Sequence, residues 1–159
     1  MSSVKPYVGI AHPTASSERV RIIRATPAAI FALLSEPQNL TTILPRVQRV
    51  EILERHASSA RVRTHMAFGV LGAITAIGEV QWIEGRELLF HADRPVGVES
   101  RWTLLPDPAG TRMIATMVLD LAPMMGPLAA FIPAESVAAM IGPDLDAALS
   151  AIARRVEMT

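Results

Sequence analysis

The chain of 159 residues has no cysteine, few aromatic rings (four Phe, two Trp, one Tyr) and no excess of either charge, with 15 basic and 15 acidic side chains. Lack of cysteine excludes a disulfide framework, a thiolate zinc site and a cysteine nucleophile. Lack of a basic excess argues against non-specific nucleic-acid binding, which draws on phosphate neutralisation, so no nucleic-acid partner is expected. The start, Met1 to Pro13, lacks a basic region followed by an apolar run, so no secretory signal is read and a cytoplasmic location is expected. The most apolar stretch, Leu121 to Ile141, is broken by Pro123, Gly126, Pro127, Pro133 and Glu135, which suits a buried or interfacial helix better than a bilayer span. No internal repeat or low-complexity tract is visible.

What is present is a half-apolar composition, 50% by count, with eight methionines. A chain of this size buries roughly 70% of its unfolded surface without metal or disulfide staples. One domain over 18–159 is expected, preceded by an arm over 1–17 whose Pro6, Gly9, Pro13 and Ser16-Ser17 interrupt any period. Residues 1–63 carry nine basic and four acidic side chains, and residues 64–159 six and eleven. Complementary surfaces within one fold account for this; a basic face turned to a partner or a membrane is the alternative.

Glu18 to Arg24 alternates, with Val20 and Ile22 opposite Arg19 and Arg21, and predicts a half-buried strand. Thr26-Pro27 opens a short helix, with Thr26 as the cap and Pro27 at the first helical position. Ile30, Phe31 and Leu34 follow at helical spacing. Glu36-Pro37 ends that helix, and a second runs from Asn39 to Leu44 before Pro45. From Val47 the period changes from 3.6 to 2. Strands are predicted at about 47–55, 60–68, 73–84, 87–93, 97–106 and 111–121, separated by turn signals that include Glu84-Gly85-Arg86 and Pro106 to Gly110. Short connections imply an antiparallel meander. Parity sets Val62, Thr64, Met66, Phe68, Val80, Trp82, Leu88, Phe90, Ser100, Trp102, Met113 and Met117 on one apolar face.

The tail repeats apolar residues at steps of three and four, through Val137, Met140, Ile141, Leu145, Leu149 and Ile152. Gly142-Pro143 predicts a kink that divides it into two pieces. The fold class is therefore α+β: a curved seven-stranded antiparallel sheet wrapped around a long C-terminal helix, with two short helices after the first strand. The space beneath the helix becomes either packed core or a cavity.

Catalytic signals are sparse. His12, His56, His65 and His91 stand at no metal-ligand spacing, so no metal or other cofactor is expected. His65 and His91 fall on the polar face with Glu79, Glu99 and Asp120, and a general base in the interior would need a slipped register. Glu135, alone in its uncharged tract, reads as a first-turn carboxylate favoured by the helix dipole, or else as a polar anchor at a cavity mouth. No Gly-x-Ser-x-Gly occurs, and the Gly69, Gly72 and Gly78 spacing lacks the context of a phosphate loop. Those glycines suit bent strands or close backbone approach.

Thr26-Pro27-Ala28-Ala29-Ile30-Phe31-Ala32-Leu33-Leu34, then Glu36-Pro37-Gln38-Asn39-Leu40, Leu44-Pro45-Arg46-Val47 and Val50-Glu51-Ile52-Leu53-Glu54, occur in an order that resembles the START-like (SRPBCC) superfamily with its helix-grip fold. Gly110-Thr111-Arg112 and Gly126-Pro127-Leu128 add to the likeness, which covers about 18–157. It is nearest in look to the polyketide cyclase/dehydrase and coenzyme-Q-binding branch. The run Gly69 to Gly78 is similar to a branch related to one of the proteins of carbon-monoxide dehydrogenase. Ser35 stands where many relatives carry Asp, and Thr41-Thr42-Ile43 lacks their aromatic.

The resemblance implies a cavity for a hydrophobic ligand between sheet and helix, and transfers no catalytic set. The expected lining is Thr64, Met66, Phe68, Trp82, Phe90, Ser100, Trp102, Met113, Met117, Phe131 and Met140, with Ser100 and Thr64 orienting a polar head. Methionines give such a lining its adaptability. The expected function is binding or transport of a lipid, quinone or polyketide-like molecule, more a binding protein than an enzyme. A cyclase or dehydratase using the same cavity is the alternative. A third reading is an accessory domain that meets a partner or a membrane surface through Leu121 to Ile132, a segment that could also act as a gate over 122–133. Oligomeric state is left open.

Overall fold

The computed structural model describes residues 14–67 and 72–157. The elements run β1 (Ala15–Ile23), α1 (Pro27–Ser35), α2 (Pro37–Ile43), β2 (Val47–Arg55), β3 (Ser59–Ala67), β4 (Ala73–Ile83), β5 (Glu87–Ala92), β6 (Gly97–Asp107), β7 (Gly110–Asp120), α3 (Ala122–Met125), a 3-10 helix (Gly126–Phe131) and α4 (Ala134–Glu157). The proposed arm over 1–17 lies outside the described residues as far as Pro13; beyond it, Ser16 and Ser17 already belong to β1. Phe68 and Gly69 also lie outside the described residues.

Local chemistry accounts for the short helices. Thr26 Oγ1 accepts the Ala29 N–H at 3.2 Å, and Pro27 occupies the first turn, where no intrahelical donor is needed. Pro37 likewise occupies the first turn of α2, without a side-chain cap, so that this helix starts two residues before the expected Asn39. Asn39 Nδ2 donates to the Leu33 carbonyl at 3.0 Å and ties the two helices together.

All strands pair antiparallel in the order β1-β7-β6-β5-β4-β3-β2. Consecutive strands β2 to β7 are neighbours, as short hairpin connections require. The consequence lies at the margins: β1 and β2, adjacent in sequence, form opposite edges. Seven strands at about 4.8 Å spacing are roughly 29 Å wide when flat. The α1–α2 segment must therefore cross the concave face to connect them. The β2 edge carries register shifts between Val47 and Arg49 and between Ile52 and Glu54, and exposed charges, which discourage further strand pairing.

α4 lies mainly along β1 and reaches β7, α1 and α2. Val137, Ile141, Leu145, Ala148, Leu149 and Ile152 are buried from it. They meet Ile23, Ile30, Leu104, Met113, Ala115 and Leu119 in one core. By length and composition α4 could cross a membrane, but half of its most apolar window is buried within this fold.

Two local expectations change. Val20 and Ile22 are 47% and 44% exposed, and it is Arg19 and Arg21 that share the inner parity of Ala115 and Met113. The reason is the edge position of β1, where inward side chains meet the polar stripe of α4. Arg19 bonds Asp146 at 3.2 Å and Arg21 donates to Ser150 at 3.1 Å. Arg46 pairs with Asp144 in the same way, so basic side chains of the N-terminal half are matched to acidic ones of the tail. Nor is the tail two pieces: α4 runs continuously from Ala134 to Glu157 with Pro143 inside. Proline removes one backbone donor, and packing and flanking ion pairs hold the turn. Gly142 lets the Arg19 guanidinium lie close against the helix at this turn, where a Cβ would stand 2.3 Å from it.

Candidate functional site

The apolar face of the sheet is not fully covered by its helices. α4 packs over the β1–β7 margin, while β2 to β6 curve away beneath α1 and α2. A cavity of about 320 Å³ remains there. Its floor comes from the inward parity of consecutive strands: Val62, Thr64 and Met66 of β3, Val80 and Trp82 of β4, Leu88 and Phe90 of β5, and Val98, Ser100 and Trp102 of β6, with Met117 of β7. Phe31, Leu34 and Ser35 of α1 and Pro37 and Leu40 of α2 form the roof, and Val50, Ile52 and Arg55 of β2 the far wall. No α4 residue borders it, so the expected space between sheet and C-terminal helix is instead a space between sheet and α1–α2. The crossover that joins the two sheet edges takes the roofing position, and α4 seals the neighbouring core.

Of the residues proposed for the lining, Thr64, Met66, Trp82, Phe90, Ser100, Trp102 and Met117 border this cavity. Met113 does not: it is wholly buried in the core under α4. Met140 is half-buried on that same core. Phe131 is 82% exposed on the 3-10 helix, because that segment follows β7 at the margin away from the cavity. Phe68 lies outside the described residues. Four of the five aromatic residues described, Phe31, Trp82, Phe90 and Trp102, thus share one wall system. The contribution of α1, α2 and β2 was missed. Its signal was the pair of apolar helices too short to be stable without a surface to cover.

Charge is confined to the cavity's edge. Arg55 and Glu84 are the charged residues of the lining, and both are exposed. Deeper polar atoms belong to Thr64 and Ser100, each 7% exposed. The indole N–H of Trp102 donates to Ser100 Oγ at 3.1 Å. Ionisable side chains cluster on the opposite face of the sheet. His65 Nε2 donates to Glu51 at 2.8 Å, and the Thr75 hydroxyl reaches His65 Nδ1 at 3.2 Å. The His65 hydrogen bond holds the Glu51 carboxyl below its ordinary pKa of 4.5; partial desolvation opposes it, while Arg49 and Arg63 add to it. His91 pairs with Asp93 at 3.0 Å, and Glu79 and Glu99 share its row on the outer face. That face is not uniformly solvated, since Glu99 and Leu89 are buried there, with Arg101 at 3.4 Å from Glu99. Asp120 is buried at the end of β7 and accepts the Ala122 N–H at 3.0 Å, fixing the turn into α3. Glu135 sits exposed in the first turn of α4, as the helix dipole favours, and is not part of the cavity edge. Among the described residues no group of three or more His, Asp or Glu is placed to hold a metal.

The family model described as polyketide cyclase/dehydrase and lipid transport matches residues 14–157. The chain belongs to this family. Solved structures share the fold of this polyketide cyclase/dehydrase and lipid transport family member. TTHA0849 of Thermus thermophilus superposes with a TM-score of 0.74 at 20% identity, covering 92% of this chain and 98% of its own. The Zhui aromatase/cyclase of a Streptomyces species gives 0.73 at 17% identity, covering 91% and 94%. A START superfamily protein of Mycobacterium smegmatis gives 0.66 at 18%, covering 91% and 97%. No curated protein sequence matches. The α+β helix-grip architecture, with the long terminal helix on a seven-stranded sheet, is the fold these structures share.

Proposed function

We propose that this chain binds or carries one hydrophobic small molecule, a lipid, a quinone or a polyketide-like ring system, in the cavity beneath α1 and α2. The observation that carries this reading is an apolar cavity of about 320 Å³ with its charged groups only at the exposed edge. Pockets for small molecules span about 300–1,000 Å³, so the space suits one compact ring system or a single chain. Burial supplies the affinity, at about 25 cal/mol per Å² before ordering costs.

Binding without chemistry is favoured over a cyclase or dehydratase activity. His65, His91 and Glu79 stand on the far side of the sheet from the cavity, and the carboxylate of the lining, Glu84, is at its exposed edge. The test is native mass spectrometry of protein purified without detergent, with fluorescence titration of anilinonaphthalenesulfonate. A co-purifying apolar molecule that the dye displaces is the expected result. Protein that carries nothing and takes up no dye would refute the reading.

A peripheral contact is the second reading. Phe131 and Leu128 are 82% and 61% exposed on an uncharged segment. Vesicle co-sedimentation lost in Phe131→Ser would support it, and equal sedimentation of both proteins would exclude Phe131.

A further inference from the structure

The two buried hydroxyls of the cavity are not equivalent. Ser100 Oγ accepts the indole N–H of Trp102, two residues along β6 on the same face, at 3.1 Å. A serine hydroxyl offers one donor and two acceptor sites. The Trp102 bond uses an acceptor site and leaves the proton. Among the described residues, no atom accepts that proton. The neighbours of Ser100 across the sheet, Phe90 and Met117, are apolar. A buried donor without a protein acceptor is costly, so an occupant that brings an acceptor oxygen to this wall gains a hydrogen bond there. Trp102 also limits which way the hydroxyl can turn, because one lone pair must stay on the indole.

The oxygen it meets is uncharged. Arg55, the cation of the lining, lies on β2, four strands away from β6. A carboxylate at Ser100 would have one neutral donor to offset its desolvation. Thr64, on β3, has no hydrogen-bond partner among the described residues and is reached by a longer ligand.

We infer that Ser100 is the donor by which the cavity selects an uncharged apolar molecule bearing a carbonyl oxygen, with Trp102 as its positioning residue. This rests on the binding function proposed above and adds the polar feature of the ligand.

The experiment measures calorimetric affinities of the full chain for menadione and for methylnaphthalene, which share a ring skeleton and differ in the two carbonyls. With no cysteine, the chain offers no thiol for the quinone to alkylate. The wild-type protein should bind menadione more tightly by about 2- to 10-fold, the net worth of a neutral hydrogen bond. Ser100→Ala should bring that ratio close to one while the methylnaphthalene affinity holds. Trp102→Phe, which keeps a ring, should lower the ratio part-way. Equal wild-type affinities, or a ratio unchanged in Ser100→Ala, overturn the inference and leave the cavity's binding function standing. A Trp102→Phe loss equal for both compounds overturns the positioning role. Binding of neither compound overturns the cavity reading and this inference with it.

Discussion

Ala60→Leu distinguishes free space from packed core by the sign of its effect. Ala60 is 5% exposed and faces the cavity, opposite Arg55 on β2 and Val80 on β4. Leucine adds three carbons. Where room exists, each contributes about 0.8 kcal/mol, or about 2.4 kcal/mol together. Ordering the longer side chain offsets about 0.5–1 kcal/mol of this. The net is a stabilisation of about 1.5–2 kcal/mol, which raises Tm by about 3–8 °C in a chain of this length. The same change at Ala115 is the control. Ala115 is fully buried on β7 in the core under α4 and does not border this cavity. Overpacking there costs about 1–3 kcal/mol and lowers Tm by about 2–12 °C. Thermal unfolding followed by circular dichroism reads both. Anilinonaphthalenesulfonate titration of Ala60→Leu should show weakened binding beside the raised Tm. A Tm that falls alike at both positions would mean that the space beside Ala60 is not available, and the argument from cavity to ligand would fail.

Other positions test the frame around the site. Thr26→Ala removes the cap of α1 and should cost about 1 kcal/mol, a Tm loss of about 2–4 °C; an unchanged Tm would show that the bond to Ala29 adds nothing. Gly78→Ala places a Cβ 2.4 Å from the His91 carbonyl, a backbone atom that cannot move aside, so β4 and β5 must part; chemical denaturation should show a loss of about 1–3 kcal/mol or more, and wild-type stability would refute the close approach. Glu51→Gln removes a carboxylate whose folded-state pKa lies below 4.5. A depressed pKa contributes stability above the unfolded value, lost as pH falls through the folded one. Tm curves of variant and wild type should therefore differ above pH 4.5 and converge in stronger acid, whereas a constant offset would exclude the His65–Glu51 bond as the cause.

Much of this protein is legible in one dimension because its signals are local. A period of two from Val47 to Asp120, interrupted by glycine and proline turns, dictates six antiparallel strands. Thr26-Pro27 starts a helix and Glu36-Pro37 ends it through backbone chemistry that needs no partner. Alternation also selects the face to which Thr64, Trp82, Ser100 and Trp102 belong. What alternation cannot say is which inward residues meet a helix and which meet empty space. Met113 and Met117 share a strand and a face, yet Met113, opposite Leu104 on β6, is core and Met117, opposite Ser100, is cavity wall. That boundary follows from strand order. With β1 and β2 at opposite edges, the segment between them must span the sheet, and α4 is left to the β1 margin. The same placement turns Arg19 and Arg21 inward, toward Asp146 and Ser150, against the apolar-inside rule that sequence parity follows. Periodicity therefore determined the elements and their faces. The hollow beneath α1 and α2 came from long-range pairing, which has no local code.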